Sequence, residues 1–162
     1  GVKKARIHAL LDGRDVPATS AQIYIEQLET VLNELNDESF DAKIASGGGR
    51  MNITMDRYEA DWDMVKRGWD THVHGLGRQF DNASTAIETY RNELNVIDQD
   101  LPAFVIAKDG QPVGQIIDKD SVILFLFNIY LISDKYFLVF CAHKTFLAHN
   151  KFLIELFSRS ES

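Results

Sequence analysis

Two short stretches hold the residue types from which an anion site can be built. In "SGGGRMNITMDR" (Ser46–Arg57) three consecutive glycines run into Arg50, and a second arginine follows at Arg57; in "DGRD" (Asp12–Asp15) Arg14 stands beside Asp15. Glycine tolerates φ > 0 and lets backbone N–H groups approach a ligand without Cβ hindrance. The guanidinium of Arg50 offers a donor fork suited to a phosphate or carboxylate. If the intervening segment is helical, Arg57 lies roughly 10 Å along the axis and can reach the same anion. Asp15, next to a cation, is a candidate general base. The alternative reading is structural. The glycines then make a tight turn, the arginines are solvated or paired with Asp56, Glu59 and Asp61, and Asp15 is an Asx-turn or N-cap residue. The pattern is not a P-loop, because no Gly-Lys-Ser/Thr follows.

The histidines carry less. His72 and His74 in "THVHG" have an i, i+2 spacing that on a strand can present two imidazoles to one metal. Here they follow a helical stripe and end at a glycine, the pattern of a helix C-terminus, where histidines need no metal. His8 alternates within a strand and reads as structural, while His143 and His149 fall in a divergent tail. No Ser-His-Asp arrangement or nucleophile elbow is legible.

Strands and helices must position these residues. "RIHALL" (Arg6–Leu11) is an apolar run closed by Asp12-Gly13 and reads as a buried strand. Thr19 and Gln22 have capping-box spacing, and Ile25, Leu28, Leu32 and Leu35 form a helical stripe ending near Asn36. "FDAKIAS" (Phe40–Ser46) is the next strand, so the order is βαβ with a right-handed crossover. Trp62, Val65 and Trp69 mark another helix, Ala83–Leu94 a third, and "AFVIA", the "KDGQP" turn and "SVILFLF" a return to strands. In a parallel βαβ unit the segments after both strands emerge on one edge of the sheet, where open α/β folds bind ligands. If the strands are neighbours, Arg14, Asp15 and Arg50 line one crevice. The predicted class is α/β, with a largely parallel sheet and flanking helices.

Length and composition bound the possibilities. A chain of 162 residues, 45% hydrophobic and 25% charged, has the make-up of one soluble domain. A net charge of -7 and a pI near 5.1 argue against a non-specific nucleic-acid binder, so an anion must be held locally. The single cysteine, Cys141, excludes an internal disulfide and fits a reducing cytoplasm. No secretory signal opens the chain, and a start at Gly1 that runs directly into a strand suggests a fragment or processed product. The composition then breaks: all 10 glycines and 3 prolines lie at or before Gly114, whereas most phenylalanines follow Ser121. Residues 1–125 read as a domain, and residues 126–162 as an apolar tail, irregular or helical.

"HALLDGRDV", "IASGGGRMNITMDRYEADWDMVKRGWD", "DQDLPAFVI" and "KDSV" together resemble the cofactor-independent (2,3-bisphosphoglycerate-independent) phosphoglycerate mutases, in their substrate-binding phosphotransferase domain. The resemblance covers about Ile7 to Phe125. It implies a cytoplasmic isomerase, monomeric as the full enzyme, that interconverts 3-phosphoglycerate and 2-phosphoglycerate in glycolysis and gluconeogenesis. It also implies a second, alkaline-phosphatase-like domain holding two Mn²⁺ or Mg²⁺ and a serine nucleophile. Carried onto this chain, Arg14, Asp15, Arg50 and Arg57 match substrate-binding positions, with Asp15 the acid/base for the substrate hydroxyl. Neither nucleic acid nor a membrane is an expected partner.

The departures qualify this. Asn52 stands where the family carries a Tyr or similar residue, and "FLFNIYLISDKYF" lacks the two further arginines that the family supplies after "DSVIL". The metal ligands, the nucleophilic serine and a substrate-binding histidine belong to segments absent from this chain. The resemblance therefore predicts a fragment that does not catalyse the reaction alone. A stand-alone anion-binding module and a non-functional truncated product are the alternatives. The tail reads as a translated intron, a frameshift or a truncated gene; "VILFLFNIYLI" is short of the roughly 20 residues that a membrane span needs. An added amphipathic helix is the third reading.

Overall fold

The computed structural model describes residues 3–53 and 61–117, together with the backbone of 123–124 and 138–141. In chain order the elements are β1 (Lys4–Leu11), α1 (Ala21–Leu35), β2 (Asp41–Gly49), α2 (Arg50–Ile53), α3 (Trp62–His72), β3 (Arg78–Phe80), α4 (Ala83–Leu94), a 3-10 turn η1 (Asp98–Asp100), β4 (Phe104–Lys108), β5 (Gln111–Pro112), β6 (Ile123–Leu124) and β7 (Leu138–Cys141). The sheet runs β3-β4-β2-β1-β7-β6, with β5 paired to β4. Its pairings are parallel except β2 with β4 and the β4–β5 hairpin. This is the expected α/β class, with an antiparallel step inside a largely parallel sheet.

The apolar stripes explain the layers. Ile25, Leu28 and Leu32 of α1 and Ala83, Ala86, Ile87 and Tyr90 of α4 bury themselves with Ile7, Ala9, Leu11, Ile44 and Phe104 in one core. Successive strand residues face opposite sides. His8 and Leu10 therefore point to the other face, where Leu10 packs with Ile53 of α2 and His8 meets His72 of α3. The β4–β5 turn is Asp109-Gly110, with φ of 52° and 75°, the left-handed pair that an Asp-Gly hairpin requires.

Helix α4 starts and stops where the sequence implies. The Asn82 side chain accepts from Thr85 N at 2.8 Å, and Asn95 closes the helix at φ 51°. Asn82→Ala is expected to lower stability by about 1 kcal/mol, seen as a shift of the urea midpoint at unchanged slope.

Two expectations are corrected, and one helix shows which of its faces is buried. The Thr19–Gln22 capping box does not form: Ser20 is the N-cap, its hydroxyl donates to Pro17 O, and Gln22 Nε2 donates to Glu26 Oε1. The first free N–H of α1, at Ala21, is instead taken by Asp98 Oδ2 from far along the chain, at 2.7 Å. The helix marked by Trp62, Val65 and Trp69 forms as α3, with that stripe exposed and Met64, Gly68 and Thr71 facing inward. The reason is steric, since a Cβ at Gly68 would stand 2.1 Å from Ile53 O, so only a small-residue face can sit this close to α2. The second correction is that Gly47, Gly48 and Gly49 do not turn off the strand; they are its last three residues, and none has positive φ. They are glycines because neighbours crowd them. A Cβ at Gly47 would lie 2.4 Å from the Phe104 ring, and one at Gly49 would lie 2.2 Å from Gln99 O.

In the segment read as an irregular or helical tail, Leu138–Cys141 form strand β7, parallel to β1. No helix among the described residues is long and apolar enough to cross a membrane.

Candidate anion-binding site

Strand register brings the two motifs together. β1 and β2 pair in parallel, with Ile7 opposite Ile44 and then His8 opposite Ser46, so Ala45 is an extra residue bulged into β2. After the bulge Leu11 lies opposite Gly49. Without it Leu11 would face Gly48, and the residues leaving the two strand ends would be displaced by one position. As built, Asp12 and Arg50 emerge side by side. Gly13 follows at φ 64°, a left-handed turn that carries the chain back across the strand end.

The resulting cluster is compact. Arg50 Nη1 donates to Asp12 Oδ1 at 2.7 Å and lies 3.7 Å from Asp15 Oδ2. Asp12 Oδ2 accepts from Asp15 N at 3.0 Å, which ties the "DGRD" turn to itself. Asp12 is almost wholly buried and Arg50 mostly so, whereas Asp15 and Arg14 are exposed at the crevice mouth. Arg50 Nε is buried and has no hydrogen-bond partner among the described residues. The guanidinium is thus anchored through one nitrogen and retains donor capacity.

The sequence reading brought Arg14, Asp15 and Arg50 to one strand edge, and the structure places all three there. Arg57 lies outside the described residues, as do Asp56 and Glu59. Asp61, the remaining candidate partner for the arginines, caps α3 by accepting from Met64 N at 2.8 Å. The residue missed is Asp12, taken only as a turn signal. Its signal was its place directly after an apolar strand, where its carboxylate must face whatever leaves the neighbouring strand. Counting charges, Arg14 and Arg50 balance Asp12 and Asp15. An anion needs additional cations, from Arg57 or beyond this segment, before the crevice becomes attractive.

Asn52, at the position where the resemblance expects a Tyr, has its own partners: its Nδ2 donates to Asp100 O at 2.7 Å and to Leu101 O at 3.2 Å. The histidine pair separates. His72 Nδ1 is 2.9 Å from Ser46 Oγ, whose hydroxyl also lies 2.6 Å from His8 Nδ1, while His74 Nε2 accepts from Trp69 Nε1 at 3.0 Å. The two imidazoles of "THVHG" therefore do not share a ligand position. Burial brings His72 down to about 4 and, with the neighbouring His72 as a second cause, His8 down to about 2, from an ordinary 6.5. Among the described residues no group of three or more His, Cys, Asp or Glu side chains could hold a metal ion.

Comparison with known proteins decides the family. The family model described as "BPG-independent PGAM N-terminus" matches residues 1–129. The chain belongs to the 2,3-bisphosphoglycerate-independent phosphoglycerate mutase family. Among its relatives, a probable 2,3-bisphosphoglycerate-independent phosphoglycerate mutase of Leptospira interrogans is 59% identical over 128 residues, which is 78% of this chain and 23% of that protein. The mutase of Trypanosoma brucei brucei is 52% identical over 130 residues, 79% of this chain and 24% of that protein. A crystal structure of Leishmania mexicana phosphoglycerate mutase, determined at low cobalt concentration, superposes with a TM-score of 0.69 at 36% identity, covering 74% of this chain and 28% of that one. The chain thus spans about a quarter of the length of the mutases it matches, and the matched part is their N-terminal family region.

Proposed function

We propose that residues 1–125 form the substrate-gripping part of a cytoplasmic phosphoglycerate mutase, an isomerase of glycolysis that interconverts 3-phosphoglycerate and 2-phosphoglycerate. Arg14, Arg50 and Arg57 hold the carboxylate and phosphate of the glycerate, and Asp15 exchanges a proton with its hydroxyl. The observation that carries this reading is the Arg50 guanidinium, fixed on buried Asp12 and 3.7 Å from Asp15, with Nε still unpartnered. A carboxylate placed at ion-pair distance from an anchored guanidinium sits where a bound anion would bring its neighbouring hydroxyl. Phosphoryl transfer itself, with the two Mn²⁺ or Mg²⁺ ions and the serine nucleophile, belongs to a phosphatase-like part outside these residues. This chain on its own binds without turnover.

Titration of 3-phosphoglycerate into the purified chain, followed by calorimetry, is expected to give weak saturable binding. Arg50→Lys keeps a cation for Asp12 but loses the fork, and is expected to weaken binding about tenfold or more at unchanged circular dichroism. Replacing the corresponding segment of a full-length mutase by residues 1–125 should retain manganese-dependent turnover, and Asp15→Asn in that chimaera should lower kcat by at least about a hundredfold. A folded chain that binds nothing and a soluble chimaera without turnover would together overturn the reading. Turnover by this chain alone would overturn the division of labour.

A further inference from the structure

One buried carboxylate is not used by the site as described. Asp98, in η1, is completely buried, yet lies beside both strand-end motifs. Its Oδ1 accepts from the Arg91 guanidinium of α4, and its Oδ2 accepts from Ala21 N at the start of α1, at 2.7 Å. Its backbone N–H donates to Ala18 O at 2.8 Å. The turn that carries it is pressed against the site from below. A Cβ on Gly13 would stand 3.0 Å from Asp98 Cβ and from Gln99 N, and one on Gly49 would meet Gln99 O at 2.2 Å. Two further bonds close the unit, with Gly49 N donating to Leu101 O at 2.9 Å and the Asn52 amide reaching Asp100 O and Leu101 O.

Residues 98–101 are therefore in contact with the loop after β1 and with the end of β2 together with α2. A fully buried charge needs its partners. Asp98 therefore fixes where η1 sits, and η1 fixes the separation between the "DGRD" turn and Arg50. We propose that Asp98, held by Arg91, is a positioning residue for the anion grip, setting the Arg50–Asp15 geometry from beneath without touching the ligand. The inference rests on the functional reading above for the identity of the ligand. The coupling of η1 to the two loops is a property of the fold itself.

The test uses the intact chain with Asp98→Asn, Arg91→Met and Arg91→Lys. Asp98→Asn keeps an oxygen for Ala21 N but removes the charge, and Arg91→Met removes the partner from a partly buried position if Asp98→Asn does not fold. Two readouts are needed: the 3-phosphoglycerate titration, and amide hydrogen exchange at Gly49 and Asp15 against Ile87 in the core. The expected result is exchange at Gly49 and Asp15 at least tenfold faster with Ile87 unchanged, affinity weakened by a similar factor, and both restored towards the parent values in Arg91→Lys. Uniform acceleration at all three sites, or unchanged exchange at Gly49 and Asp15, would overturn the proposal. If the parent binds and Asp98→Asn or Arg91→Met binds as well as the parent, the positioning role fails while the ligand assignment stands. If the parent binds nothing but the selective exchange appears, the ligand assignment fails while the coupling stands.

Discussion

Gly49→Ala is expected to destabilise the chain by more than about 3 kcal/mol and to abolish phosphoglycerate binding, although alanine is an acceptable strand residue and Gly49 has ordinary extended backbone. The added methyl would stand 2.2 Å from Gln99 O, 2.4 Å from Gln99 C and 2.7 Å from Asp98 O. These are backbone atoms, so no rotamer change relieves the overlap. Either η1 retreats, breaking the Gly49 N to Leu101 O bond and disturbing buried Asp98, or β2 shifts against β1 and moves Arg50 away from Asp12. Both routes damage the site and the fold together. Urea denaturation and the 3-phosphoglycerate titration on the same sample measure the two effects. Stability within about 1 kcal/mol of the parent would show that the strand and η1 can separate at little cost.

The second large effect is with pH. His8 and His72 are held neutral by burial, with folded-state values of about 2 and about 4 against 6.5 when unfolded. Below 6.5 the unfolded chain takes up protons that the folded chain refuses, so the unfolded state binds more protons and stability falls as pH falls. Both groups contribute between pH 6.5 and about 4, and His72 stops contributing once the pH passes its folded value. From pH 7 to pH 5 the loss is about 2 kcal/mol for each histidine. A domain of ordinary stability has only about 5–15 kcal/mol to lose, so acid unfolding should set in well above the range where carboxylates protonate. Denaturation midpoints measured from pH 7.5 to pH 5 check this. His72→Gln, which can still meet the Ser46 hydroxyl, is expected to remove about half of the slope. A stability that is flat across that window would show that the histidines do not reach their ordinary protonation on unfolding.

The strand, helix, strand order at the start of the chain, α4 from Ala83 to Leu94 and the Asp-Gly hairpin were all legible, because each is set by local periodicity, caps and turn residues. Their signals lie within a dozen residues, and the chain obeys them. The same local reasoning reached Arg14, Asp15 and Arg50, since parallel strands must release their following segments on one edge. It failed where the cause lay elsewhere in the chain. The capping box at Thr19 and Gln22 is locally plausible, but Asp98 supplies the cap from η1, and a distant carboxylate leaves no mark near residue 20. The tryptophan stripe correctly marked helix α3, but spacing says only that a face exists; the close approach of Gly68 to Ile53 decides that the other face is buried.

The three glycines before Arg50 show the division most clearly. Their composition announces a constraint on the backbone, and the sequence alone determined that something there excludes a side chain and that an arginine follows it. Two physical constraints produce the same residue, a positive φ or a neighbour too close for a Cβ, and one-dimensional information does not separate them. Only the tertiary structure decided it, by packing Phe104 and η1 against the end of β2 and by inserting Ala45 so that Arg50 meets Asp12.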